Sequence, residues 1–365
     1  MQKISWQRAV LKIGSALVAP DGEGCSGEYV LNIARFITEC RKQGKEIVLV
    51  SSGSVAAGRA HIKVTHQPTI AEKQAMAAIG QSQMMANWAR FFDFPCAQIL
   101  LTSGDLRDRT RYVNIKNTLR ELLAYQALPI VNENDSVAVN ELKVGDNDNL
   151  AAYTALVSQA DTLIICSDID GLYTADPRKH KDAKLIPQVD EIDEEIHALA
   201  GGAGSKVGTG GMRTKLQAAE KCTSSGIQTL IVNGHNSDVF EQLLRGDCPG
   251  TLFTAKATAK GARASWLQHA LQSAGDIHVD EGAKNALLSR GASLLPSGVT
   301  DVAGNFNTGD AVTIKYNGTA IAKGLSLYCA DDLQLIKGKH SDKITDTLGF
   351  TLGEAVIHRD DLILL

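Results

Sequence analysis

The sequence predicts an α/β protein: a three-layer sandwich about a mainly parallel sheet, followed by a small β-rich C-terminal domain. Three observations carry that prediction. The first 250 residues alternate short apolar runs with amphipathic helical patterns. The runs are apolar throughout, as strands covered on both faces by helices must be. After Gly250 the elements shorten and turn signals multiply, the pattern of a small β-rich domain.

In chain order, residues 9–13 (AVLKI) read as the first strand, followed by a helix with Val30, Ile33, Ala34 and Ile37 on one face. Residues 46–50 (EIVLV) form the next strand, then a long Ala/Met/Gln-rich helix near 71–92, then the run AQILL ending at Leu101. A helix around 115–125 leads to LPIV, one at 148–158 leads to TLIIC, and one at 214–225 leads to QTLIV. Right-handed crossovers place the loops that follow these strands along one edge of the sheet. Residues 254–274 read as a linker with helical character, which divides the chain into predicted domains at 1–253 and 275–365. The second opens on DIHV and a helix at 281–290; strand-like runs at 311–316 and 319–327 flank the turn Asn317-Gly318.

At 365 residues the chain is long for one hydrophobic core, which supports the two-domain division. Its 44% hydrophobic and 21% charged residues are ordinary for a soluble globular protein. No apolar stretch is long enough to cross a bilayer, and MQKISWQRAVLKIGSAL lacks the apolar core of a signal peptide. A cytoplasmic location without a membrane partner is therefore expected. The seven cysteines are odd in number and scattered, with no Cys-x-x-Cys, which argues against a disulfide framework and a zinc ribbon. The net charge of −4 resides in the tail, where residues 275–365 carry 8 Lys+Arg against 12 Asp+Glu. Neither part resembles a polycation that binds nucleic acid through backbone phosphates.

The most unusual stretch is 132–149, NENDSVAVNELKVGDNDN, in which ten of eighteen residues are Asn, Asp or Glu. It directly follows an apolar run. Such a density of amides and carboxylates cannot be buried without partners. A solvated loop would satisfy them, but the end of a strand is also where open α/β sheets bind ligands. The cluster could hold the ammonium and carboxylate of an amino acid, or orient lysines around phosphate.

Further loops carry polar residues at strand ends. Lys12-Ile13-Gly14-Ser15 closes the first strand, and Ser51-Ser52-Gly53-Ser54 follows the second and enters a helix. Taken singly, each reads as an ordinary strand-to-helix turn. The glycine-rich tract 208–215 (GTGGMRTK) could be a linker, but it ends on Thr214-Lys215 at a helix start inside the α/β domain. It is not a Walker A loop, and no convincing Gly-x-Gly-x-x-Gly follows the first strand, so P-loop and dinucleotide-binding readings are disfavoured. Lys12 and Lys215 together could supply two positive charges to a phosphoryl group in transfer. Two lysines at one site repel each other, and Asp148 is the carboxylate placed to hold them. The stretch 167–177 (SDIDGLYTADP) is either a turn for nucleotide and metal-bound phosphate or a plain connection.

KIGSAL, SSGSVAAG, the 132–149 stretch, SDIDGLYTADP and GTGGMRTK resemble, in order and spacing, the landmarks of the amino acid kinase family. GDIHVDEGA, GNFNTGDAV and AVIHRDDLI resemble the PUA domain. The resemblance spans nearly the whole chain, and VGDNDNL with GTGGM-x-TK is its specific pair. It implies the amino acid kinase fold and transfer of the ATP γ-phosphoryl group to the side-chain carboxylate of L-glutamate. The product would be L-glutamyl 5-phosphate, at the first step of proline biosynthesis. Mg²⁺ would be held mainly by the ATP phosphates, with no dedicated protein metal site. Proline as feedback inhibitor, a homo-oligomer (dimer or tetramer) and hand-over to glutamyl phosphate reductase are implied as well.

Carried over by position, Lys12 and Lys215 would stabilise the phosphoryl in flight and Asp148 would orient them. Ser52, Asp135 and Asn147 would bind glutamate. Lys12, Ser167, Asp168, Thr209, Gly210, Gly211, Met212, Arg213, Thr214 and Lys215 would contact ATP. Ser51 and Ser54 stand where the family commonly has Thr and Ala.

Chemistry favours free glutamate over an acetylated acceptor, because a free α-ammonium calls for an anion and Asp135 stands beside Asn132 and Asn134. Related acceptors (acetylglutamate, aspartate, carbamate, UMP) are the nearest rivals. RNA binding by the tail is the rival from another class, and the tail's negative balance argues against it. His235 reads as a turn residue, and His197, His269 and His340 lack metal-ligand spacing. The acidic run 190–195 reads as a solvated helix start. Arg107, Arg109 and Arg111 read as a charged surface loop, with a proline- or glutamate-sensitive surface as the sharper alternative.

Overall fold

The apolar runs of the first 253 residues become one eight-stranded sheet in the computed structural model, which describes residues 2–138, 147–200, 211–255 and 273–365. Its strands are β1 (Arg8–Ile13), β2 (Glu46–Ser51), β3 (Cys96–Leu101), β4 (Leu128–Glu133), β5 (Thr162–Ser167), β6 (Gln188–Val189), β7 (Gln228–Asn233) and β8 (Thr251–Phe253). Their order across the sheet is β3-β4-β2-β1-β5-β7-β8-β6. Every pair is parallel except β7 with β8. The principal helices are α1 (Val30–Lys42), α2 (Ser54–Arg59), α3 (Ile70–Ala89), α4 (Arg109–Ala124), α5 (Asn147–Val157), α6 (Met212–Ser224) and α7 (Ser237–Leu244).

The two-residue period of a strand sorts side chains between two helical layers. On one face Ala9, Leu11, Ile13, Leu49, Ile130 and Ile164 join Ile33 and Phe36 of α1 and Phe240 of α7 in a single core. Val10 and Lys12 of β1 are on the alternate face, and β1 also packs on α5, which packs in turn on α6. The predicted three-layer sandwich is the observed fold, and β1 lies at its centre with Ala9, Val10, Leu11 and Ile13 wholly buried.

Helix α3 starts at a capping box in which Thr69 Oγ1 accepts from Glu72 N at 3.2 Å and Glu72 Oε2 accepts from Thr69 N at 2.7 Å. It meets α2 backbone to backbone. A Cβ at Gly80 would lie 1.9 Å from Ser54 O, and one at Gly58 would lie 1.8 Å from Met76 O. No side chain larger than hydrogen fits at either position.

Several sequence expectations are corrected. The helix placed at 115–125 begins at Arg109 and a short helix spans Ser103–Arg107, so Arg107, Arg109 and Arg111 are helical rather than in a loop. The Arg111 guanidinium pairs with Asp105 at 2.5 Å. The polar stretch begins inside β4: Asn132 and Glu133 are its last two residues, and both are buried. Residues 139–146 and most of the 254–274 linker lie outside the described residues. The acidic run, by contrast, is the solvated helix start expected, with Asp193 accepting from Ile196 N at 2.9 Å.

Contacts divide the chain into two compact units, Met1–Gly104 with Lys116–Ala259, and Asp105–Ile115 with Lys260–Leu365. The second has a five-stranded sheet, β9 (Gly275–Val279), β10 (Val299–Gly304), β11 (Ala311–Tyr316), β12 (Thr319–Leu325) and β13 (Leu362–Leu364), in the order β10-β9-β11-β12-β13. Strands β10 and β13 were not anticipated from the sequence. Asn317 and Gly318 have φ of 48° and 81°, the left-handed pair that the β11–β12 hairpin needs. Ile277, Phe306, Ile314 and Leu333 form its core, in which Val113 is also buried. Tyr328 is wholly buried there and donates its hydroxyl proton to Gly353 O at 2.5 Å. Among the described residues no helix is long and apolar enough to cross a membrane, and all seven cysteines are free.

Candidate active site

Lys12 is the penultimate residue of β1, Asp148 the second residue of α5, and Lys215 lies in the first turn of α6. The fold brings these three, distant in sequence, to one point. Lys12 Nζ stands 2.7 Å from Asp148 Oδ1, and Lys215 Nζ stands 3.2 Å from Asp148 Oδ2. Thr214 adds its hydroxyl, donating to Oδ2 at 2.7 Å. The Lys12 contact, at 2.7 Å, is the shorter of the two ion pairs on Asp148.

All three charged residues are buried, with relative exposures of 7% for Lys12, 1% for Asp148 and 5% for Lys215. Charges at that depth persist only when paired. Burial pushes the Asp148 carboxyl upward, but the two ammonium groups outweigh it and hold it at about 2. Burial lowers Lys215, and the Asp148 charge partly restores it. The site therefore carries two ammonium groups and one carboxylate, a net positive charge facing the end of the central strand.

A second set of residues lies at the ends of β2 and β4. Asn147 Nδ2 donates to Ser52 Oγ at 2.7 Å and to Asn132 Oδ1 at 2.9 Å, and Asn132 Nδ2 donates to Gln81 Oε1 at 2.9 Å. This relay ties β2, α5, β4 and α3 together. Gly53, with φ of 110°, takes the left-handed turn between Ser52 and α2. Ser54 Oγ donates to Asp135 Oδ2 at 2.7 Å. A cavity of about 250 Å³ opens beside this set, with Gln81, Asn134, Asp135 and Ser136 in its wall.

At the opposite side of β1, Ser167 ends β5 and donates to Asp168 Oδ1 at 3.0 Å. Asp170 accepts from Tyr173 at 2.7 Å and from Asn233 at 2.9 Å, and the first of these bonds pushes the Tyr173 phenol up to about 12. Gly211 caps α6, and Met212, Arg213, Thr214 and Lys215 form its first turn. Thr209 and Gly210 lie outside the described residues. His235 sits in the turn after β7, its ring edge-on to Tyr29 at 4.5 Å.

The structure thus gathers Lys12, Asp148, Lys215 and Thr214 in one cluster, and Ser52 with Asn147 in another. Sequence reasoning missed Gln81, the link between Asn132 and Asn147, and the hydroxyls of Ser54 and Thr214. The one signal for Gln81 was an amide among the Ala and Met residues of a helix otherwise read as core. Among the described residues no group of three or more His, Cys, Asp or Glu is arranged to hold a metal ion. Asp148 is already engaged by two ammonium groups and a hydroxyl, which makes it a poor ligand for a divalent cation.

Three relatives named glutamate 5-kinase align with the chain almost end to end. That from Idiomarina loihiensis is 57% identical over 100% of this chain and 99% of its own length. That from Salinibacter ruber is 53% identical over 98% of this chain and 97% of its own length. That from Xanthomonas euvesicatoria is 49% identical over 98% and 100%. The PUA domain profile matches residues 275–348. The amino acid kinase family profile matches residues 7–233, the span that holds both clusters. The chain belongs to the amino acid kinase family.

Proposed function

We propose that the chain is a glutamate 5-kinase, transferring the γ-phosphoryl group of ATP to the side-chain carboxylate of L-glutamate. The observation that carries this reading is the buried Lys12–Asp148–Lys215 cluster, two ammonium groups held on one carboxylate. Phosphoryl transfer needs positioning and charge neutralisation more than covalent chemistry. In the step, a γ-carboxylate oxygen forms a bond to the γ-phosphorus while the bond from that phosphorus to the β–γ bridging oxygen breaks. L-glutamyl 5-phosphate and ADP result. Lys12 and Lys215 neutralise the charge on the phosphoryl oxygens and the leaving ADP, and Asp148 with Thr214 keeps the two ammonium groups in register. The nucleophile is already ionised at neutral pH, so no side chain has to remove a proton from it.

Asn147 gives its two amide protons to Ser52 and Asn132 and so sets the Ser52 hydroxyl, whose own proton is offered to a substrate carboxylate. Asp135 offers a counter-charge to the α-ammonium group, which is the reason for preferring free glutamate to an acetylated acceptor. The nucleotide is assigned to Ser167, Asp168 and the first turn of α6, whose backbone N–H groups favour an anion. Mg²⁺ is assigned to the ATP phosphates, since Asp148 is occupied, and no step is routed through it. Feedback inhibition by proline, assembly into a dimer or tetramer, hand-over to glutamyl phosphate reductase and a cytoplasmic setting complete the reading.

The test is ADP release coupled to hydroxylamine trapping of the acyl phosphate, run with glutamate, acetylglutamate, aspartate, carbamate and UMP. Glutamate alone should give both ADP and hydroxamate, and added proline should suppress both. Absence of glutamate-dependent ADP, or a stronger response to another acceptor, would overturn the assignment.

A further inference from the structure

We propose that Ser54 is a positioning residue that sets the Asp135 carboxylate for the α-ammonium group of the substrate. The inference deepens the function proposed above and rests on it. Ser54 is the first residue of α2 and is 4% exposed. Its hydroxyl donates to Asp135 Oδ2 at 2.7 Å, joining residues 81 positions apart. That length is typical of a charge-assisted bond, which is directional and stronger than a neutral one.

The donor is itself fixed in place. The close approach of α3 at Gly80, where a Cβ would fall 1.9 Å from Ser54 O, leaves the first turn of α2 no room to move toward α3. Just upstream, the buried Ser51 hydroxyl accepts from Trp88 Nε1 at 2.9 Å, so the strand end that feeds this turn is anchored on α3 too. Asp135, by contrast, lies in a short turn after β4, where Ala138 N donates to Asn134 O at 3.0 Å. The Ser54 bond ties this turn to the closely packed helix pair α2 and α3.

Asp135 also lines the cavity that Gln81 and Asn134 share. A carboxylate accepts about four hydrogen bonds, so the Ser54 donation is compatible with an ammonium group on the same carboxylate. Orientation fixed before the substrate arrives is not lost as entropy on binding. The predicted consequence is selective. Ser54 should matter to a ligand with an α-ammonium group and not to one without it.

The experiment measures kcat, KM for glutamate, KM for ATP and the inhibition constant of glutarate in wild type, Ser54→Ala and Ser54→Thr. Glutarate carries both carboxylates of glutamate and no ammonium. Ser54→Ala should raise KM for glutamate about tenfold, the ratio one charge-assisted hydrogen bond supports. KM for ATP and the glutarate constant should stay put, and Ser54→Thr should recover most of the loss. Equal rises for glutamate and glutarate would mean packing alone and overturn the proposal, as would no rise in either. Should Ser54→Ala not accumulate folded, Ser54→Cys, close in volume and a weak donor, reads the same ratio. Wild-type protein without glutamate-dependent ADP release would instead overturn the functional reading beneath the proposal.

Discussion

Replacing Asp148 by Asn keeps the shape of the side chain and removes a charge that holds Lys12 and Lys215 together. The two contacts are 2.7 and 3.2 Å long, with Asp148 almost wholly buried. At an effective dielectric of about 20, contacts of this length are worth roughly 5–6 kcal/mol each before desolvation. The carboxylate's own width puts the two ammonium groups about 8 Å apart at most, where they repel by roughly 2 kcal/mol. The net cost of leaving buried charge uncompensated is about 3–5 kcal/mol. Part of it can be relieved if Lys215, already lowered by burial, gives up its proton. The catalytic loss should be larger than that of an ordinary hydrogen bond, about 100- to 1,000-fold in kcat, as for other preorganised charge stabilisers. Hydroxamate formation under saturating ATP and glutamate reads kcat, and thermal denaturation followed by circular dichroism reads stability. The pH profile adds a signature: without the Asp148 charge Lys215 falls further, so the alkaline limb of Asp148→Asn should lie at lower pH than that of wild type. An Asp148→Asn protein that is folded, keeps kcat within about threefold of wild type and shows an unshifted alkaline limb would refute the reasoning.

Gly80→Ala places a methyl group 1.9 Å from Ser54 O, and should lower stability by more than about 3 kcal/mol; an unchanged Tm would show that α2 and α3 separate easily. Asn147→Ala breaks two of the three hydrogen bonds of the amide relay, and should raise KM for glutamate about 10- to 50-fold while leaving KM for ATP within about twofold; equal effects on both substrates would dissociate the relay from the acceptor. In wild type, the lowered Lys215 should make kcat fall on the alkaline side before the ordinary lysine range near 10.5 is reached; a limb at or above that range would contradict the burial argument. Asp148 is held at about 2 against an ordinary 3.8, so its stabilisation is complete above 3.8 and is lost as pH falls toward 2. Acid denaturation should therefore show a loss of roughly 2 kcal/mol across that window that Asp148→Asn does not share.

Much of the catalytic unit was legible because parallel strands covered on both sides are apolar through their middles, as Ala9–Leu11 of β1, Ile47–Val50 of β2 and Leu163–Cys166 of β5 are. Lys12 stood out for the same reason: a lysine inside such a run has to be either exposed at the sheet edge or paired. The small strands β10 and β13 escaped notice because VTDVAG and LIL are short and carry no clean alternation. Arg109 and Arg111 were misread as loop because their charge outweighed the helical period that continues through Val113 and Leu119, both buried.

Local chemistry along the chain determined the strand–helix alternation, the glycine tract that leads into a helix and the need for a carboxylate between two lysines. Those are short-range matters of propensity, burial and charge, and adjacent residues express them. Which oxygen of Asp148 each lysine meets, and how Gln81, Asn132 and Asn147 hand hydrogen bonds from α3 to Ser52, were decided only when the sheet brought β1, β2 and β4 side by side. Such pairings depend on distances between residues far apart in sequence, and no periodicity in one dimension encodes them. The Ser54–Asp135 bond is of the same kind, because it joins residues 81 positions apart on different elements.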